Sequence, residues 1–133
     1  MKNKSSSRPT DSEMEILEVL WENGPSSVRF INNEINKTRP CGYTTTLKLM
    51  QIMLKKQLLT REEKVKVHIY SPLTGRDETE GILLENFLNK SFSGSAHRLV
   101  MQALGNHNTT DTELEEIKKL IDELERKQSG TDE

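Results

Sequence analysis

Between Val28 and Lys56 two amphipathic stretches are separated by Thr38-Arg39-Pro40-Cys41-Gly42, a segment that cannot continue a helix. Pro40 pushes its predecessor out of the α region, and Gly42 is a poor helix former. The first stretch, capped by Ser26 or Ser27 and ending near Lys37, sets Val28, Ile31 and Ile35 at i, i+3 and i+7, with Phe30 beside them. The second, Gly42 to Lys56, puts Leu47, Met50, Met53 and Leu54 on one face. Its other face is Thr44, Thr45, Lys48 and Gln51, crowded toward the N-terminal half, with Lys55 and Lys56 at the end. Helix, short turn, basic helix is the order of a helix-turn-helix, whose second helix turns its N-terminal residues to base edges. Short hydroxyls and an amide suit bases or phosphates, and the lysines suit the phosphate backbone. An ordinary amphipathic core helix has the same pattern, so the neighbouring segments decide.

Upstream, Thr10-Asp11-Ser12-Glu13 reads as a capping box opening a helix that runs to about Glu22. Met14, Leu17, Leu20 and Trp21 share its apolar face, Ile16 and Val19 flank them, and Asn23-Gly24-Pro25 stops it. Downstream, Val65, Val67 and Ile69 alternate with Lys64, Lys66 and His68, the period of a half-buried strand. Leu58 to Arg61 is expected to pair with that strand across a tip at Glu62-Glu63-Lys64. Helices followed by a basic hairpin predict a winged helix over 10–73, mainly α with a small β wing. Arg61, Lys64 and Lys66 would then meet phosphates or the minor groove. A plain surface hairpin with solvated lysines is the alternative.

Charge supports a polyanion surface confined to one region. The net charge is −2, yet 1–72 holds 12 basic against 8 acidic residues and 73–133 holds 7 against 13. The window 37–72 has 8 basic and 2 acidic residues, and neutralising phosphates dominates nucleic-acid affinity. Apolar residues make up only 32% of the 133, a lean core for a monomer, so burial against a second chain would help. No run approaches the ~20 apolar residues that span a bilayer, and no apolar segment opens the chain, so a cytoplasmic protein without membrane insertion is expected. The single cysteine, Cys41, excludes an internal disulfide and fits that compartment.

Beyond a linker at Leu73-Thr74-Gly75-Arg76 the pattern changes. A fourth helix, about Asp77 to Phe92, carries Leu84, Phe87, Leu88 and Phe92 on one face. A fifth, about Ala96 to Leu104, aligns Ala96, Leu99, Val100, Ala103 and Leu104. A second capping box, Thr110 to Glu113, opens a sixth that runs to about Gln128. Its Leu114, Ile117, Ile121 and Leu124 form an a/d seam of two heptads. Such short helices must bury their stripes on something. Packing back on the winged helix would do, but the charge mismatch and the linker favour a homodimer through 74–128, with Leu84, Phe87, Leu88, Leu99, Val100, Leu114, Ile117, Ile121 and Leu124 at the interface. A twofold dimer would offer two recognition helices to a palindrome in double-stranded DNA. The ends, 1–9 and 129–133, read as disordered.

From Thr10 to Gln128 the chain resembles the BlaI/MecI penicillinase repressors, whose wider group includes the copper-responsive CopY repressors. The resemblance rests on Asp11-Ser12-Glu13-Met14-Glu15-Ile16-Leu17 with Val19 and Trp21, on Leu54-Lys55-Lys56, on Val67-His68-Ile69-Tyr70-Ser71-Pro72 and on Leu88-Asn89-Lys90. It implies an N-terminal winged helix, a C-terminal three-helix dimerisation region and repression of a resistance operon from a palindromic operator. It further implies release when a membrane sensor-protease, activated by β-lactam, cuts the repressor within its dimerisation region. Family recognition helices open Ser-Pro-Lys-Thr-Ile, where this chain has Gly42-Tyr43-Thr44-Thr45-Thr46: Thr45 matches, Thr44 replaces lysine. The family's scissile Asn-Phe aligns with Gln102-Ala103. The Cys-X-Cys hooks of CopY proteins are missing from Lys127 to Glu133, against copper sensing.

Enzymatic chemistry finds little to work with. Cys41 sits in a turn, His68, His97 and His107 lack metal-ligand spacing, and Ser93-Gly94-Ser95 is not a nucleophile elbow. No catalytic residue, metal or cofactor is expected. The remaining rival is a winged-helix adaptor that binds protein in place of DNA.

Overall fold

The computed structural model describes residues 8–63 and 66–130. In order come α1 (Asp11–Asn23), α2 (Val28–Ile35), α3 (Tyr43–Lys55), β1 (Leu59–Glu62), β2 (Ile69–Pro72), α4 (Arg76–Lys90), α5 (Ala96–Asn106) and α6 (Asp111–Gln128), with a 3-10 turn at Phe92–Gly94. The chain divides into two compact units, one ending at Phe87 and the other beginning at Leu88.

In the first unit each helix starts and stops for a local reason. The Thr10 hydroxyl accepts from the Glu13 amide at 3.2 Å while the Glu13 carboxylate accepts from the Thr10 amide at 2.9 Å, so the capping box is complete. Gly24, at φ 85°, ends α1 by donating its amide to the Leu20 carbonyl at 2.7 Å. Ser27 caps α2 through the Phe30 amide. At the end of α3, Gln57 takes φ 66° while the Leu58 amide reaches the Met53 carbonyl and its own reaches Leu54, the bonds of a Schellman motif.

Ile16, Leu17, Leu20, Val28, Ile31, Ile35, Met50, Met53, Leu58, Leu59 and Tyr70 form the core. The buried face of α1 is rotated from the one expected: Glu13 and Ile16 are inside, whereas Met14 and Trp21 are only half-buried. The indole nitrogen of Trp21 donates to the Thr74 carbonyl at 3.1 Å, and Arg76 pairs with Glu18 at 3.0 Å. Residues read as a linker are thereby tied to α1, and α4 begins within them.

The wing differs from expectation in its strands. β1 and β2 pair antiparallel with Leu59 opposite Pro72, Arg61 opposite Tyr70 and Glu62 opposite Ile69. Val67 lies outside the strands, 54% exposed, and Lys66 and His68 are exposed beside it; Lys64 and Val65 lie outside the described residues. The reason is register. Leu59 and Tyr70, on one face, are drawn into the core, and Ser26 bridges Tyr70 on the other edge with bonds of 2.8 and 3.0 Å. The ladder ends with Glu62 opposite Ile69, so Lys66, Val67 and His68 fall outside it.

In the second unit Ser95 caps α5 and a complete capping box at Thr110 starts α6. The fourth helix ends at Lys90, short of Phe92, which enters the 3-10 turn at φ 55°. The expectation of disorder over 1–9 and 129–133 falls mostly on residues outside the described ones, but Pro9 is buried and the Arg8 carbonyl accepts from Lys56 at 3.2 Å.

Candidate nucleic-acid interface

Helix α3 divides cleanly between core and solvent. Thr46, Met50 and Met53 are fully buried, and Thr44, Thr45, Lys48 and Gln51 are all exposed on its far side, with Lys55 exposed near its end. At 100° per residue, burying Met50 and Met53 forces Lys48 and Gln51 outward. Leu47 and Leu54, expected inside, are half-buried at the edge of that face.

What aims the helix is a set of polar side chains that the periodicity reading passed over. On α2, the Asn32 amide donates to Thr46 Oγ1 at 2.8 Å, to the Cys41 carbonyl at 3.1 Å and to the Gly42 carbonyl at 3.2 Å. One turn on, Asn36 donates to the Cys41 carbonyl at 2.7 Å and accepts from the Cys41 amide at 3.1 Å. The turn before α3, and its first helical turn, are thus stapled to α2. The signal was legible: Asn32 stands at i+4 from Val28 in an otherwise apolar stripe, and a polar group there must find a partner.

At the other end Lys56 reaches back to Glu13, 2.7 Å from Oε1, with Glu13 only 2% exposed. Lys56, read as backbone-facing charge, is instead engaged inside the fold, fixing the C-terminal end of α3 against the start of α1. Cys41 is half-buried with its sulfur 3.4 Å from Thr46 Oγ1. Arg39 binds Glu15 through two contacts, and that hydrogen bond holds the Glu15 carboxyl below its usual range against a smaller opposing effect of burial.

On the wing, the Arg61 guanidinium is paired to Glu63 at 2.6 Å and hydrogen-bonded to Tyr70, while Lys66 is exposed. Among the described residues no cluster of three or more His, Cys, Asp or Glu could hold a metal, and no helix is long and apolar enough to cross a membrane.

In the C-terminal segment Leu84, Phe87, Val100, Leu114, Ile121 and Leu124 are exposed by 38% to 49%, and Leu99 and Ile117 are half-buried. Leu88 is already buried within the chain. No residue of helix α6 is fully buried. Gln102 and Ala103 are exposed on α5.

Comparison with known proteins gives the family. A family model described as penicillinase repressor matches residues 9–123. The penicillinase repressor of Bacillus licheniformis is 22% identical over 114 residues, 86% of this chain and 89% of the relative. The transcriptional regulator BlaI of Mycobacterium tuberculosis is 30% identical over 87 residues, 64% of this chain and 63% of that one. The methicillin resistance regulatory protein MecI of Staphylococcus aureus is 22% identical over 112 residues, 84% and 91% of the two chains.

Proposed function

The chain belongs to the penicillinase repressor family, a family of transcriptional repressors and not of enzymes, and on that premise we propose that it binds a palindromic operator as a homodimer and silences the genes beside it. The observation that carries the proposal is the exposed Thr44, Thr45, Lys48 and Gln51 face of a helix whose opposite face is locked into the core. Those side chains can reach into a major groove without disturbing packing. Lys55, Arg61, Lys64 and Lys66 supply flanking phosphate contacts, with Arg61 exchanging Glu63 for phosphate.

The domains divide in function as 10–73 for DNA and 74–128 for association. Dimerisation is supported by α6, whose seam residues Leu114, Ile121 and Leu124 are exposed in the single chain, and by an apolar groove of about 510 Å³ lined by Leu104, Ile117 and Leu120. A second copy would cover both, and the lean 32% apolar content makes that burial valuable. Because relatives are named for penicillinase and for methicillin resistance, the regulated genes are proposed to be of β-lactam-resistance type. Derepression would follow loss of the α4–α6 association, including cleavage at Gln102-Ala103 by a membrane sensor-protease, in the cytoplasm.

The test is to capture genomic fragments with the purified protein and titrate the enriched one at rising salt. Enrichment of a palindrome, with affinity falling by orders of magnitude between about 50 and 200 mM salt, supports operator binding. Failure to enrich any fragment, with a salt-indifferent protein partner instead, would establish an adaptor.

A further inference from the structure

A groove of about 410 Å³ opens between the start of α2, the start of α3 and the connection from β1 to β2. Ser27 and Arg29 line it from α2 and its cap, Tyr43 from α3, and Lys66 and His68 from the wing. The Arg29 guanidinium lies 5.4 Å from the centroid of the Tyr43 ring. Among the described residues no carboxylate lines the groove and Arg29 has no acidic partner, whereas Arg39, Arg61 and Arg76 are each paired with glutamate. A guanidinium stacked on an aromatic face keeps its edge N–H donors free and preset for a planar, two-pronged grip on phosphate. Tyr43 directly precedes Thr44 and Thr45 on α3, so a strand whose bases meet those threonines carries its backbone past the groove mouth.

We propose that this groove seats one phosphodiester of the bound duplex, with Arg29 as its principal cation, Tyr43 as the platform that orients Arg29, and Lys66 closing it from the wing. The inference rests on the operator-binding reading and adds to it a contact joining α2, α3 and the wing on one phosphate. Charge patterning missed it, since Arg29 stands apart from the basic window and Tyr43 looks like an ordinary exposed aromatic.

The experiment uses full-length protein and a labelled duplex of about 30 base pairs, trimmed from the most enriched genomic fragment, with methylphosphonate introduced at one linkage at a time. Arg29→Ala should weaken binding roughly fivefold to twentyfold and lower the salt slope by about one. One neutralised linkage should weaken the wild type by a similar factor and leave Arg29→Ala no weaker than before. Tyr43→Phe should bind like wild type and Tyr43→Ala should lose part of the Arg29 effect. If Arg29→Ala binds and responds to salt as wild type does while Lys48→Ala loses affinity, the seat is overturned and operator binding stands. If the wild type binds no duplex, both fall together.

Discussion

Asn32 Nδ2 donates to Thr46 Oγ1 at 2.8 Å, and both side chains are buried where α2 meets α3. A buried donor left unsatisfied costs about 1–3 kcal/mol, and removing both partners costs less than the sum. Thr46→Val should therefore destabilise by about 1 kcal/mol, Asn32→Leu by about 2–3 kcal/mol, and the double variant by less than the two together. Urea unfolding checks this, and additive losses would mean the bond does not couple the helices.

Gln57 ends α3 at φ 66°, where a side chain costs about 1–2 kcal/mol and glycine nothing. Glycine also frees the unfolded chain by about 0.4–1 kcal/mol, which offsets part of the gain. Gln57→Gly should raise stability by about 0.5–1 kcal/mol. A lower melting temperature would show that the Gln57 side chain makes a contact worth more than its strain.

Arg39 holds the Glu15 carboxyl below its usual range. A folded-state value lower than the unfolded one, about 4.3, means that the pair's stabilisation is complete above that pH. It fades as the pH falls through the lower folded value. Arg39→Ala should lower the urea midpoint slightly at pH 7, and the difference should close at acid pH, below the ordinary carboxylate range. A gap of constant size at both would exclude Glu15 as its source.

Charging the α6 seam with Ile117→Asp and Ile121→Asp should give monomers in sedimentation that lose operator affinity, because each carboxylate would be buried unpaired in the joint. The helix itself should survive, since its capping box is intact. A charged variant that still sediments as a dimer would move the interface elsewhere.

Lys48 is exposed in the middle of the solvent face of α3. Replacing it with alanine should weaken operator binding and flatten the dependence of log affinity on log salt by about one, as should Lys66→Ala. Unchanged affinity would remove that residue from the interface.

Periodicity, caps and breakers carried the helical plan a long way. Thr10 and Thr110 cap where their sequences say, Gly24 and Pro40 interrupt, and Thr44, Thr45, Lys48 and Gln51 emerge together on the solvent side of α3. These are local matters, settled by the steric and hydrogen-bonding needs of a few neighbouring residues. Tertiary structure decided the rest. Where β2 begins depended on Leu59 and Tyr70 entering the core, not on the alternation in Val65 to Ile69. Asn32, Lys56 and Arg29 acquired their roles from partners 14, 43 and 14 positions away. A pattern along the chain records which face of an element is apolar, but a polar side chain's partner is set only when distant elements pack.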